Sequence, residues 1–232
     1  MQARVAGVLL AAGEGSRFGQ PKALVELDGQ TLAARGVDLL RAGGTDPILV
    51  VTGAVPVELS GIRTIDNEHW RTGMGSSLRA ALRALAAPLP TTDPATDPAT
   101  DPATDPAADP AADPAADADV GAVVVALADQ PLVGAAAVAR LIAAYRGGAS
   151  VAVAAYQGKP RNPVLLAREH WPEVIETAAG DQGARAFLRA RPDLVTLIEC
   201  GDTGSPDDID TPADLARVTS RDRGSRSPLA GD

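Results

Sequence analysis

Apolar residues occur in short runs set apart by glycines, prolines and acids. Val5–Ala12 is nearly unbroken apolar sequence and passes straight into glycines, the pattern of a strand buried on both faces. Ile48–Thr52, after Pro47, reads the same way, and Ile62–Ile65 predicts a short third strand. Gly121–Ala128 is the most apolar stretch, and Val151–Ala155, Val164–Leu166 and Leu194–Glu199 predict three further strands. Helical spacing lies between them. Ala33, Val37 and Leu40 share a face of Thr31–Arg41, which Gly43-Gly44 ends. Leu78, Leu82 and Leu85 point inward from Ser76–Ala86, and Val138, Leu141, Ile142 and Tyr145 mark another helix. Gln182–Ala190 and Pro212–Thr219 complete the set, the last with Thr211 as N-cap and Pro212 at the first helical position. Alternating strands and helices predict an α/β fold, a three-layer sandwich around a mostly parallel sheet. Ligands of such sheets bind beyond the carboxyl ends of the strands. Gly13–Lys22, Thr52-Gly53 and Asp129 follow strand ends, so they are expected to line one crevice.

One stretch breaks the pattern. Residues 91–119 read TTDPATDPATDPATDPAADPAADPAADAD, with an aspartate at every fourth position from Asp93 to Asp117. Proline at the same period excludes a helix, and almost nothing apolar beyond alanine methyls is present to build a core. The expectation is a disordered, self-repelling loop inside a single domain spanning 1–219, with a disordered tail over 220–232. A Ca²⁺-binding tract is the alternative, although carboxylates spaced along a mobile chain form no cage. The tract carries most of the formal net charge of -9, leaving the rest of the chain nearly neutral.

Composition narrows the chemistry. An acidic chain argues against a nucleic-acid partner. With one cysteine, Cys200, and two histidines, His69 and His170, there is no disulfide framework, cysteine-based zinc site or histidine-rich cluster. No stretch approaches the roughly 18 apolar residues of a membrane helix. The Val5–Ala12 run is short for a signal peptide, so a cytoplasmic protein is expected.

The strongest candidate chemistry is Leu10-Ala11-Ala12-Gly13-Glu14-Gly15-Ser16-Arg17-Phe18-Gly19-Gln20-Pro21-Lys22. A strand enters a glycine-rich loop whose amides can turn toward an anion, and Arg17 and Lys22 add positive charge. This suits a nucleoside triphosphate. A P-loop is excluded, because Gly19 is followed by Gln20-Pro21 rather than by Lys and Ser/Thr. A dinucleotide fingerprint is excluded too: the third glycine comes one residue late, and Thr52-Gly53 supplies no ribose-binding acid. A plain strand-to-helix turn remains the bland alternative.

Asp129 closes an apolar strand, where a lone carboxylate needs a partner. Mg²⁺ takes one or two carboxylates plus phosphate oxygens, which makes Asp129 and Asp210 the candidate metal ligands. Turn formation at Asp129 and helix capping by Asp208 and Asp210 are the competing roles. Gly73, Gly75 and Ser76 open a helix and could read a base or phosphate, or simply cap it. Trp70 is a stacking or a packing residue, and Arg185 an anion ligand or a surface arginine. His69, His170, Cys200 and Trp171 read as structural.

LLAAGEGSRFGQPKAL resembles the signature loop of the MobA-like nucleotidyltransferases, and within them that of the molybdenum cofactor cytidylyltransferases. Trp70–Leu78 is similar to that family's base-recognition segment, and Ala128-Asp129-Gln130-Pro131 to its metal-binding turn. Gly180–Arg185 and Asp208–Pro212 resemble two further family segments. The resemblance spans about residues 5–218 outside the tract. It implies a Rossmann-like nucleotidyltransferase fold that moves a nucleotidyl group, cytidylyl by closest resemblance, to a phosphorylated acceptor such as the molybdopterin cofactor, releasing pyrophosphate. Lys22, Arg17 and Asp129 would be catalytic. Leu10, Ala11, Ala12, Gly13, Gly15, Ser16, Thr52, Gly53, Gly73, Gly75 and Ser76 would join them in binding CTP, and Asp129 and Asp210 would hold Mg²⁺. A molybdoenzyme or chaperone is the implied protein partner. Family members often carry Gly-His before Pro163, where this chain has Arg161-Asn162, so acceptor recognition departs from the pattern. A sugar- or polyol-phosphate nucleotidyltransferase and a non-catalytic nucleotide-binding or cofactor-delivery protein are the alternatives.

Overall fold

In the computed structural model, which describes residues 3–86 and 119–225, the first apolar run becomes β1 (Arg4–Leu10). Its side chains alternate between two cores. Val5 and Leu9 face one side, and Ala6, Val8 and Leu10 the other, which is why the run has no polar face. The chain continues through β2 (Glu26–Leu27), β3 (Gln30–Thr31), α1 (Leu32–Ala42), β4 (Ile48–Thr52), β5 (Arg63–Asp66), α2 (Met74–Ala86) and β6 (Val120–Leu127). It ends through α3 (Ala135–Arg146), β7 (Val151–Tyr156), β8 (Lys159–Ala167), α4 (Trp171–Thr177), α5 (Arg185–Ala190), β9 (Val195–Glu199) and α6 (Pro212–Ser225).

Seven strands form one sheet in the order β5-β4-β1-β6-β8-β7-β9. β8 runs antiparallel to both its neighbours, β6 and β7, and all other pairings are parallel. α1 and α3 cover one face through Val37, Leu40, Val138 and Leu141. α2, α4 and α5 cover the other through Leu78, Leu82, Leu85, Val174 and Phe187. The mostly parallel three-layer α/β sandwich expected from the periodicity is the fold observed. No helix among the described residues is long and apolar enough to cross a membrane.

Several elements differ in detail. β8 starts five residues before the expected Val164, because a two-residue turn at Gln157 (φ 55°) and Gly158 (φ 73°) folds it back on β7. α5 starts at Arg185 rather than Gln182, since Gly183 has φ 52° and breaks the helix before it. α4 was not expected, being only seven residues long, but it buries Trp171, whose indole donates to the Leu166 carbonyl (3.1 Å). The β2–β3 hairpin is too short to show a period. Val25, Leu27 and Leu32 from this region pack with Ile209 and Val218 in a third apolar cluster, joining the first loop to the start of α6. α6 continues beyond Thr219 to Ser225. The Asp-Pro-Ala tract through residue 118 and the tail from residue 226 lie outside the described residues.

Candidate active site

Three strand ends converge. Ala128 N donates to Leu10 O (3.1 Å), Ala11 N to Val51 O (2.9 Å) and Ala54 N to Ala12 O (3.1 Å), so the segments leaving β1, β4 and β6 are stitched together. The glycine loop then closes on itself: Phe18 N and Gly19 N both donate to Gly15 O. Gly15 has φ +64°, and a Cβ there would stand 2.1 Å from Gln20 O, so a side chain is excluded. A 3₁₀ turn over Lys22–Leu24 buries Ala23 and returns Lys22 to the strand ends.

Lys22 Nζ lies 2.9 Å from Asp129 Oδ2 and also bonds Asp210 Oδ1. Its side chain is 19% exposed. Burial alone would lower its pKa, but the Asp129 and Asp210 carboxylates overcome that and hold the ammonium above its ordinary value. Arg17 is 3.9 Å from the other Asp210 oxygen, and its side chain is 78% exposed at the rim.

Asp210 is free of capping duty. Thr211 caps α6, and Asp214 Oδ2 accepts from Thr211 N (2.8 Å), Thr211 Oγ1 (2.7 Å) and Asp210 N (3.2 Å), a reciprocal capping arrangement. Asp208 lies beside Gln130, whose Nε2 donates to Asp208 Oδ1 (2.8 Å). Burial of the Asp208 carboxyl raises its pKa, the Asp129 and Asp210 carboxylates add to the rise, and the bond from Gln130 opposes it.

A cavity of about 440 Å³ opens in front of these groups. Of the residues singled out in the sequence, Leu10, Ala11, Ala12, Gly13, Ser16, Lys22, Gly73 and Asp129 line it. Gly15, Arg17, Thr52, Gly53, Gly75, Ser76 and the metal candidate Asp210 are not among its lining residues. The Thr52 hydroxyl faces the Ile65 carbonyl (3.4 Å) on β5. Gly53 lies against Trp70, and Gly75 against the Ala178-Ala179 backbone, where a Cβ would clash at 2.6 and 2.7 Å. Ser76 Oγ accepts from Asn67 Nδ2 (2.8 Å) and faces the Gly73 and His69 carbonyls, so its polar capacity is used within the protein. Asn67 also donates to Ser77 Oγ (3.0 Å), and it is Ser77 that lines the cavity. Glu14, Trp70, Arg71 and Asp181 add polar and aromatic groups to the wall, and Met74 an apolar one. The Arg71 guanidinium stacks on the Trp70 ring at 4.3 Å. Adjacent to the main cavity, and sharing Leu10, Met74 and Leu127 with it, is a recess of about 30 Å³ that Asn162 and Arg185 line.

The arrangement fits a divalent cation. Carboxylates from two distant segments meet at one cation, the Lys22 ammonium, so their oxygens already converge on a single positive centre. Among the described residues no three acidic, histidine or cysteine side chains group into a metal cage. A hard cation would therefore take two carboxylates here and fill its remaining positions from phosphate and water oxygens, as Mg²⁺ commonly does.

Nicotine blue oxidoreductase of Paenarthrobacter nicotinovorans is 33% identical over 228 residues, covering 92% of this chain and 96% of its own. The crystal structure of a homologue of Mycobacterium tuberculosis Rv0371c, from Mycobacterium sp. strain JC1, is 28% identical and superposes with a TM-score of 0.71, covering 97% of this chain and all of its own. Rv0371c of Mycobacterium tuberculosis H37Rv itself, solved in complex with manganese, shares the fold with a TM-score of 0.64 at 21% identity, covering 95% of this chain and all of its own. The model of the MobA-like NTP transferase domain matches residues 7–195, and the chain belongs to that family.

Proposed function

We propose that this protein transfers a cytidylyl group from CTP to a phosphorylated acceptor, the molybdopterin cofactor, and releases pyrophosphate. The observation that carries the reading is the meeting of Lys22, Asp129 and Asp210 at the mouth of a glycine loop whose backbone is open to an anion. The Gly13–Ser16 segment and Lys22 bind the triphosphate, and Arg17 at the rim adds charge that a bound polyphosphate can draw in. Asp129 and Asp210 hold Mg²⁺, which supplies Lewis-acid charge stabilisation at the phosphates when bound.

The acceptor phosphate attacks the α-phosphorus, a new P–O bond forms, and the bond to the leaving pyrophosphate breaks. A phosphate monoester is largely dianionic at neutral pH, so no side chain has to remove a proton. Catalysis then rests on positioning and charge stabilisation, which suits a cleft with cations but no histidine in its wall. The methyl of Ala12 narrows the wall beside the loop and favours a pyrimidine. Cytoplasmic residence accompanies this reading.

Pyrophosphate release from CTP, GTP and ATP, with the molybdopterin cofactor and with sugar and polyol phosphates as acceptors, tests it. Release with CTP and the molybdopterin cofactor supports the full reading. Release with a sugar or polyol phosphate alone replaces the acceptor and keeps the chemistry. No release with any pair, together with turnover of nicotine blue, would replace the reading by the activity named for the Paenarthrobacter relative.

A further inference from the structure

Asp129 leaves the end of a central strand, but Asp210 comes from an irregular segment, residues 201–211, that forms no helix or strand. Something must set the separation of the two carboxylates. Gln130, next to Asp129 and 5% exposed, spans the gap. Its Nε2 donates to Pro206 O (3.2 Å) and to Asp208 Oδ1 (2.8 Å). These partners dictate the amide orientation, because the reverse would set Oε1 against a carbonyl and a carboxylate, acceptor against acceptor. The same orientation leaves Oε1 buried with no hydrogen-bond partner among the described residues. An orphaned buried oxygen costs stability, so a side chain chosen for packing alone would be apolar here. A backbone bond from Ile209 N to Asp129 O (2.8 Å) reinforces the link, and Ile209 is fully buried in the third apolar cluster.

We propose that Gln130 is a positioning residue: by holding Pro206 and Asp208 it fixes the segment that carries Asp210, so that Asp210 and Asp129 meet one cation. The role also explains the side-chain type. Glutamate would face Asp208 with like charge, methionine would leave both acceptors without a donor, and asparagine is one methylene short. The proposal rests on the reading of Asp129 and Asp210 as the cation-binding pair.

The test uses the full-length protein and four forms: wild type, Gln130→Met, Asp208→Asn and Asp208→Leu. Asn and Leu both remove the Asp208 charge, but only Asn keeps an oxygen for Gln130 to bond, so their difference reports the bond. Mn²⁺ affinity in the presence of CTP is read from the electron-paramagnetic signal of free Mn²⁺. Amide hydrogen exchange over residues 205–211 is read without metal. Gln130→Met and Asp208→Leu are expected to weaken Mn²⁺ binding about 10-fold or more, as loss of outer-shell support commonly does, and to speed exchange in the segment by a similar factor. Asp208→Asn is expected to stay within about threefold of wild type in both. Should Gln130→Met fail to fold, the Asp208 pair carries the test from the other side of the bond. Wild-type Mn²⁺ affinity in Gln130→Met or Asp208→Leu, or unchanged exchange, overturns the proposal. Wild-type protein that takes up no Mn²⁺ with CTP overturns the cation pair itself, a different result from a cation site that persists without the clamp.

Discussion

The Lys22 ammonium lies 2.9 Å from the Asp129 carboxylate and bonds Asp210 from the same position, so one lysine occupies the point on which both acids converge. The lysine proposed for phosphates and the two acids proposed for a metal are thus paired with each other. Lys22→Ala is therefore expected to have two opposite effects. Mn²⁺ affinity without nucleotide rises, because the competing cation is gone, and turnover falls by about 10²-fold or more, because the reacting phosphates lose a positioned charge. Titration calorimetry with Mn²⁺ and a pyrophosphate-release assay check the two halves separately. Equal Mn²⁺ affinity in the variant and wild type would show that Lys22 does not guard the acids.

The two acids should not be equivalent. Asp129 follows β6, hydrogen-bonded on both sides, whereas Asp210 depends on a loop. Asp129→Asn is expected to raise the Mg²⁺ concentration for half-maximal rate by about 10-fold or more, and Asp210→Asn to raise it less. Metal titrations of both variants decide it, and wild-type Mg²⁺ dependence in Asp129→Asn removes that residue from the metal site.

Asp208 gives a pH test. Its folded pKa is raised, so the folded state favours the protonated carboxyl. The corresponding stability is present below the ordinary value of 3.8 and is lost as pH rises through the folded pKa. At neutral pH the ionised group is a liability. Asp208→Asn should then raise the melting temperature at pH 7 by about 1–3 °C and lose that advantage below about pH 3. Melting curves at the two pH values check the sign, and a variant less stable at pH 7 contradicts it.

The Arg185 side chain has no hydrogen bond or ion pair among the described residues, and Arg185 lines the recess beside the cleft. If that side receives the acceptor, Arg185→Ala raises the KM of the acceptor by roughly 10-fold, the loss of one charge-assisted hydrogen bond, and leaves the KM of CTP unchanged. A change in the CTP value instead would place the nucleotide there.

Much of this was legible in the sequence, for physical reasons. A fully buried parallel strand must be apolar throughout, so β1, β4 and β6 stood out, and the loop after β1 carried glycines and cations in a pattern that suits an anion site. Asp129 and Asp210 were visible as acids at the ends of elements. The partners of Ser76 and Ser77 were not: either hydroxyl at that helix start could have faced the ligand, and the choice depends on Asn67, a residue with no motif of its own. Thr52 ends β4 and Gly53 follows it, at a strand end like the lining residues, but the side chain of Thr52 turns toward β5, and Trp70 covers Gly53. Strand-end position is a property of the local chain, whereas facing the cleft depends on a neighbour far away in sequence.

Nucleotide choice is the least local property of all. A methyl beside the loop favours the smaller base, so wild type is expected to prefer CTP over GTP by about 10- to 200-fold, and Ala12→Gly to relax that preference. Steady-state rates with both nucleotides at one acceptor concentration check it. A wild-type preference for GTP would overturn the pocket argument and the cytidylyl assignment together.

The reversal of β8 has a consequence for how such a protein can change. Because β8 runs against its neighbours, its beginning, not its end, reaches the cleft, and Asn162 comes to the recess only a few residues after a two-residue hairpin turn. The glycine loop, by contrast, hangs from β1 and β4 across the sheet. A lengthened or rewritten β7–β8 hairpin would therefore reshape one wall of the cleft without disturbing the triphosphate loop. Substrate range on the recess side can drift by local edits to a surface turn, while the machinery that breaks the phosphoanhydride is inherited intact.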